Sequence, residues 1–136
     1  MPISVVPPGH AVGMGIDEAA AIHEAVEAAF NAGDVDALVA LYEPDARMVQ
    51  PDGTVAVGRD AIRDVWAGFV ALGGRMTLRT RFAVEMGDVA LLRNDWTFNA
   101  EGIEMSSKTS EVVRRQPNGT WRYIIDHPFG ASDDIT

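Results

Sequence analysis

The stretch that decides the fold runs from Met105 to Phe129: MSSKTSEVVRR, then QPNG, then TWRYIIDHPF. Two β-rich runs flank Asn118-Gly119, the dipeptide best suited to a type I′ hairpin turn with positive φ at both positions. With a two-residue loop, Pro117 faces Thr120 and the rest of the ladder follows. Val113 then opposes Ile124, Glu111 opposes Asp126 and Thr109 opposes Pro128 on one side of the sheet. Val112 with Ile125, Arg114 with Tyr123 and Ser110 with His127 fall on the other. Like charges directly opposite each other destabilise a sheet. Glu111 and Asp126 are therefore the leading site signal.

Upstream, the run from Val89 to Asn99 places Ala90, Leu92, Asn94, Trp96 and Phe98 on one face and Leu91, Arg93, Asp95 and Thr97 on the other. A turn at Glu101-Gly102 sets Phe98 opposite Met105, Trp96 opposite Ser107, Asn94 opposite Thr109 and Leu92 opposite Glu111. Both hairpins thus put the same odd-numbered residues of the middle strand on the shared face. Before them, Met76, Leu78, Thr80, Phe82, Val84 and Met86 alternate with Arg79, Arg81 and Glu85, a half-buried strand that turns at Gly87-Asp88.

The first half of the chain is helical. Asp17 reads as an N-cap with Glu18 in the first turn, and Ile22, Val26 and Phe30 form an apolar stripe closed by Asn31-Ala32-Gly33. His23 falls beside that stripe and is expected on the surface. Asp34 caps a short helix, Val35 to Tyr42, with Leu38, Leu41 and Tyr42 inward and Pro44 stopping it. A strand at 46–50, a turn at Pro51-Asp52-Gly53 and a return strand at 54–57 follow. Gly58 opens a third helix to about Leu72, with Ile62, Val65, Trp66, Phe69 and Val70 as its stripe and Gly73-Gly74 at its end. Helices segregated from a long meander predict an α+β domain over 17–129. Residues 1–16, which include His10, read as a flexible arm, and 130–136 as a frayed tail.

Composition bounds the partners. A net charge of −9 argues against nucleic acid and anionic membrane, both of which need a basic surface. No cysteine is present, so there is no thiol nucleophile and no thiolate metal site. Three scattered histidines lack metal-ligand spacing, and neither a phosphate loop nor a nucleophile motif occurs. No metal and no cofactor are expected. The N-terminal segment lacks Lys and Arg, unlike a secretory signal, and no apolar run reaches membrane-spanning length. A cytoplasmic protein is the expectation.

AGDVDALVALYEPDA at 32–46, GRDAI at 58–62 and NGTWRYIIDH at 118–127 together resemble the nuclear transport factor 2-like superfamily, most closely its ketosteroid isomerase-like and SnoaL-like branch. The resemblance implies a cone, with a strongly curved, mostly antiparallel sheet wrapped around three N-terminal helices. It further implies a deep apolar pocket and commonly a dimer built on the outer sheet face. In ketosteroid isomerases the general base precedes the proline of the first hairpin, a position that matches Gln50. The tyrosine donor on the first helix matches Val26, and the acidic donor on the penultimate strand matches Glu111. Pocket tyrosines match Tyr42 and Trp66. Lacking both that base and that tyrosine, the chain is not expected to isomerise steroids by that route. In SnoaL-like cyclases an acidic residue on the last strands moves the proton, a role that Asp126 can fill.

In a dry pocket Glu111 and Asp126 cannot both ionise cheaply, so one becomes an acid and the other a base near neutral pH. The structural alternatives are neutralisation by Arg47 or Arg122, solvated strand ends, or a bulge that turns one carboxylate outward. Asn94 is a buried amide that Thr109 can satisfy, serving either the sheet or a ligand. Gln50 can hold a carbonyl or a water, and Tyr42 is expected to pack with its hydroxyl at the rim, where it can also donate to a ligand oxygen. Trp66, Trp96, Phe98 and Met48 are core first and pocket wall second. Because strand neighbours point to opposite faces, His127 is expected outside with Trp121, Tyr123 and Ile125. Tyr123, Ile125 and His127 are the expected homodimer contact. The expected function is cofactor-independent proton transfer on a small apolar carbonyl compound, with isomerase, cyclase and dehydratase chemistries all open. The alternative is a non-catalytic ligand-binding or dimerisation domain of the same fold.

Overall fold

A computed structural model describes residues 18–131; the expected Asp17 cap, the arm with His10 and most of the tail lie outside them. After a 3-10 turn at Ala19–Ala21, α1 (Ile22–Asn31) buries Ile22, His23, Val26 and Phe30. Gly33 follows with φ 69°, the left-handed conformation that closes a helix without a Cβ penalty. The Asp34 carboxylate accepts the Ala37 N–H at 3.0 Å and caps α2 (Val35–Val39). α3 (Gly58–Val70) buries Ile62 and Trp66.

The helix expected to reach Tyr42 stops at Val39, and Tyr42 instead opens β1 (Tyr42–Val49). Tertiary pairing overrides helix propensity here: the Leu41 carbonyl accepts the Tyr123 N–H at 2.8 Å. Pro44 lies inside β1, where the pairing with its neighbour is irregular and an absent N–H costs nothing. The other strands are β2 (Val55–Val57), β3 (Arg75–Met86), β4 (Val89–Ala100), β5 (Ile103–Lys108), β6 (Ser110–Arg115) and β7 (Trp121–His127). They form one curved sheet in the order β2-β1-β7-β6-β4-β3, with β5 also paired to β4. Every pair is antiparallel except β1 with β7. The sheet wraps the helices as a cone, and the core joins Ile22, Val26, Phe30 and Trp66 to inward residues of β1, β4, β6 and β7.

The β4 hairpin has the expected register: Phe98 faces Met105, Trp96 faces Ser107 and Leu92 faces Glu111. Thr109 separates β5 from β6 and meets Asn94 through two bonds of 2.9 Å.

The last hairpin differs from expectation in two compensating ways. Only Gly119, not Asn118, has positive φ (87°). Pro117 presets the φ of the first central position of an ordinary type I turn, closed by Gly119 N–H to the Gln116 carbonyl at 2.8 Å. The loop is therefore three residues long, with Gly119 as the left-handed residue that follows such a turn. Val113 pairs with Tyr123 and Arg114 with Arg122, one residue off the expected register. A bulge at Ile124 then adds the missing residue, and Val112 with Ile125, Glu111 with Asp126 and Ser110 with His127 pair as expected. The bulge also turns Trp121 and Tyr123 into the core, not outward as expected; both are at most 2% exposed.

A second bulge, at Arg81 in β3, interrupts the expected clean alternation. Thr80 faces Asn94 but Phe82 faces Arg93, so Ala83 becomes the buried residue, and Val84 and Met86 are exposed. At the other end, Gly130 and Ala131 remain hydrogen-bonded, to the His127 and Lys108 carbonyls, two residues into the expected tail.

Candidate active site

The open end of the cone encloses a cavity of about 60 Å³, walled mainly by apolar groups. Of the expected site residues, Glu111, Asp126, Gln50, Asn94, Tyr42, Trp96, Thr109, Trp66 and Met48 line it. Phe98 does not: it is fully buried behind the wall, edge-on to Phe30 and Phe69. Gln50 reaches the cavity, but its amide also donates to Thr54 Oγ1 at 3.2 Å within its own turn.

The two carboxylates do face one chamber, 2% and 5% exposed. Neither suggested arginine touches them. Arg47 bonds the Asp45 carbonyl and Arg122 lies near Glu43. The group that meets Glu111 is His23, expected on the surface but 2% exposed. His23 Nε2 lies 2.7 Å from Glu111 Oε1, and Asn94 Nδ2 donates to Glu111 Oε2 at 2.7 Å. The other ring nitrogen, Nδ1, lies 2.7 Å from Thr80 Oγ1. At about 100° per residue, Ile22, Val26 and Phe30 span about 80° of arc, and His23 lies only about 20° beyond Phe30. A stripe of ordinary width includes it, so the helical wheel carried the signal.

Asp126 is organised differently. Trp66 Nε1 can only donate, and at 3.1 Å it gives its proton to the Tyr42 hydroxyl oxygen. Tyr42 must then direct its own proton at Asp126 Oδ2, 2.6 Å away. Tyr42 is fully buried, so its hydroxyl is not at the rim as expected. Burial, reinforced by the charge of Asp126, raises its phenol well above 10. Tyr123, stacked on Tyr42 with ring centres 4.9 Å apart, lines the same chamber. Burial and then the charge of Glu111 hold its phenol well above 10 as well.

These environments separate the two carboxyls. Burial first, and the neighbouring Glu111 charge second, raise Asp126 to about 8, against the opposing Tyr42 bond. Near neutrality Asp126 keeps its proton. Each Glu111 oxygen meets a side-chain nitrogen, His23 Nε2 on one and Asn94 Nδ2 on the other. Asn94 contributes one further feature: it lines the cavity, and its Oδ1 is buried with no hydrogen-bond partner. Pro128 and Phe129 close one side, where the Pro128 carbonyl accepts Trp96 Nε1 at 2.8 Å and Phe129 packs edge-on to Trp96. His127 is not part of the wall; its Nδ1 accepts the Phe129 N–H at 3.3 Å. Among the described residues no three His, Cys, Asp or Glu side chains group as metal ligands.

A curved sheet closed over helices around such a chamber defines the nuclear transport factor 2-like class. Within it, residues 22–124 match the SnoaL-like domain model, and the chain belongs to that family. Solved structures agree on the fold. A ketosteroid isomerase-like protein from Erwinia carotovora atroseptica SCRI1043 is 26% identical, with a TM-score of 0.64 over 82% of this chain and 91% of that one. An NTF-2 like protein of unknown function from Shewanella oneidensis MR-1 is 16% identical, with a TM-score of 0.68 over 76% and 89%. A protein provisionally named a dehydratase of the NTF2-like family, from Streptomyces avermitilis, is 21% identical, with a TM-score of 0.65 over 76% and 86%. No curated protein sequence matches the chain. No helix among the described residues is long and apolar enough to cross a membrane.

Proposed function

We propose that the protein is an acid–base enzyme that moves protons on a small, apolar, carbonyl-bearing molecule. The observation that carries this proposal is the buried pair itself: two carboxyls facing a single apolar chamber, with Asp126 raised to about 8 by burial and by the charge of Glu111. Ionised Glu111 removes a proton from carbon next to the carbonyl. Protonated Asp126 gives its proton to oxygen, either the carbonyl (an enol, hence isomerisation or aldol-type closure) or a leaving hydroxyl (dehydration). Tyr42, itself oriented by the Trp66 N–H, donates to Asp126 Oδ2 and leaves the other oxygen for substrate. The unpartnered Asn94 Oδ1 accepts only, so it favours a substrate with a hydroxyl or N–H beside the reacting carbon. A β-hydroxy carbonyl compound satisfies all three groups.

The test is deuterium uptake next to the carbonyl of small β-hydroxy ketones in D2O. The expected result is exchange catalysed by the wild type and slowed about 100-fold or more in Glu111→Gln and in Asp126→Asn. Binding of the same ketones without any exchange would support the binding-domain alternative.

We also propose that a second copy of this chain covers the outer sheet face. Val84, Leu91, Val112 and Ile125 pair in one continuous row across β3, β4, β6 and β7. Val84, Leu91 and Ile125 are at least 37% exposed. Ile125 is exposed on that face, whereas Tyr123, expected in the same contact, is buried in the core.

A further inference from the structure

We propose that His23 and Thr80 form a proton outlet that connects Glu111 to solvent through the edge of the sheet, separately from the substrate cavity. The inference rests on the acid–base role given to Glu111 above. A base that takes a proton from substrate must lose it before the next turnover. An apolar substrate filling the chamber leaves no water there to accept it.

The side chains supply another route. Glu111 Oε1, the two nitrogens of the His23 ring and Thr80 Oγ1 form an unbroken chain with 2.7 Å at each contact. Glu111 and His23 are each 2% exposed, but Thr80 is an exposed residue on β3, the edge strand of the sheet. The chain therefore runs from the buried site to water. It runs through His23 of α1 to β3 beside the Arg81 bulge.

Two hydrogen-bonding arrangements fit this chain with neutral imidazole in both. In the first, Glu111 is ionised, His23 Nε2–H donates to it, and the Thr80 hydroxyl donates to Nδ1. In the second, Glu111 is protonated and donates to Nε2, and Nδ1–H donates to Thr80 Oγ1. Passing from the second to the first shifts one proton along each link, and Thr80 releases one to water. The proton count balances: Glu111 is left as the carboxylate, the proton ends on bulk water, and the imidazole is neutral before and after. The groups facing this chain are Thr80 from β3 and Glu111 from β6, with Asn94 on the far oxygen of Glu111 and the Tyr123 phenol and Asp126 carboxyl beside Glu111 from β7. Glu27, one turn along α1, is occupied by the Leu78 N–H at 2.8 Å.

Nitrogen-15 NMR of the His23 ring tests the outlet without any substrate. In the wild type near neutral pH the expected tautomer is Nε2–H. Glu111→Gln mimics the protonated carboxyl: its oxygen accepts from Asn94 and its NH2 donates to Nε2. That variant is expected to hold His23 as Nδ1–H. Thr80→Val is expected to slow exchange of the ring proton with water at least tenfold, and Thr80→Ser to restore it. The same tautomer in wild type and Glu111→Gln, a doubly protonated ring in the wild type, or exchange untouched by Thr80→Val would each overturn the proposal. Should Glu111→Gln fail to fold, the Thr80 pair still decides. Because these readouts need no turnover, loss of the outlet and loss of the catalytic role are separable outcomes.

Discussion

Asp126 carries the largest consequence of a single side chain. Its carboxyl titrates near 8 in the folded protein and near 4 in the unfolded chain. Between those values the folded state binds the proton that the unfolded state has released, so stability falls as pH rises from about 4 to 8 and then levels off. Asp126→Asn removes this dependence while keeping an acceptor for Tyr42. Denaturation at several pH values should find the variant gaining on the wild type steadily from pH 4 to pH 8. Parallel curves would contradict the assignment. The reacting-group role has the same sign: Asp126 works as an acid, so activity should decline above about pH 8. Which carboxyls face each other was legible from strand alternation. That His23 joins them was legible in principle, since a helix buries an arc and not a line, but a polar side chain at the edge of that arc adds nothing to the apolar periodicity.

At the level of elements, β7 shows why correct pairing can come from incorrect turn chemistry. Asn-Gly signals a two-residue loop only when both residues can take positive φ, and Pro117 selects an ordinary type I turn instead. The extra loop residue would have placed Glu111 and Asp126 on different faces. The bulge at Ile124 restores their register and lets Trp121 and Tyr123 fill the core at the same time. Nothing local in the sequence announces a bulge, because the residues that demand it belong to other elements. β3 repeats the lesson at Arg81, where an apparently clean alternation changes face midway. The turn itself is testable. Gly119 has φ 87° and open space where a Cβ would sit, so Gly119→Ala adds backbone strain alone. Urea denaturation should show a loss of about 1–2 kcal/mol, and an unchanged midpoint would argue that the loop adopts another geometry.

For the whole molecule, the alternation of helices and meander made the α+β class legible, and three short motifs made the cone legible. The outer face was legible only in part. The row from Val84 to Ile125 depends on both bulges, which change which residues of β3 and β7 point outward. If a second copy covers that row, Ile125→Asp should convert a dimer to a monomer in sedimentation experiments while leaving the circular dichroism spectrum and the cavity intact. A wild type that sediments as a monomer at high micromolar concentration would remove the proposed interface. It would leave the chamber untouched, since every group that organises Glu111 and Asp126 comes from one chain.

The measurement closest to the centre of the account is the carboxyl carbon-13 shift of Asp126 followed from pH 4 to pH 10 in the unmodified protein. A midpoint near 8 is expected, moving down when Glu111→Gln removes the neighbouring charge. A midpoint near 4, insensitive to residue 111, would mean that the two carboxyls do not divide acid and base between them.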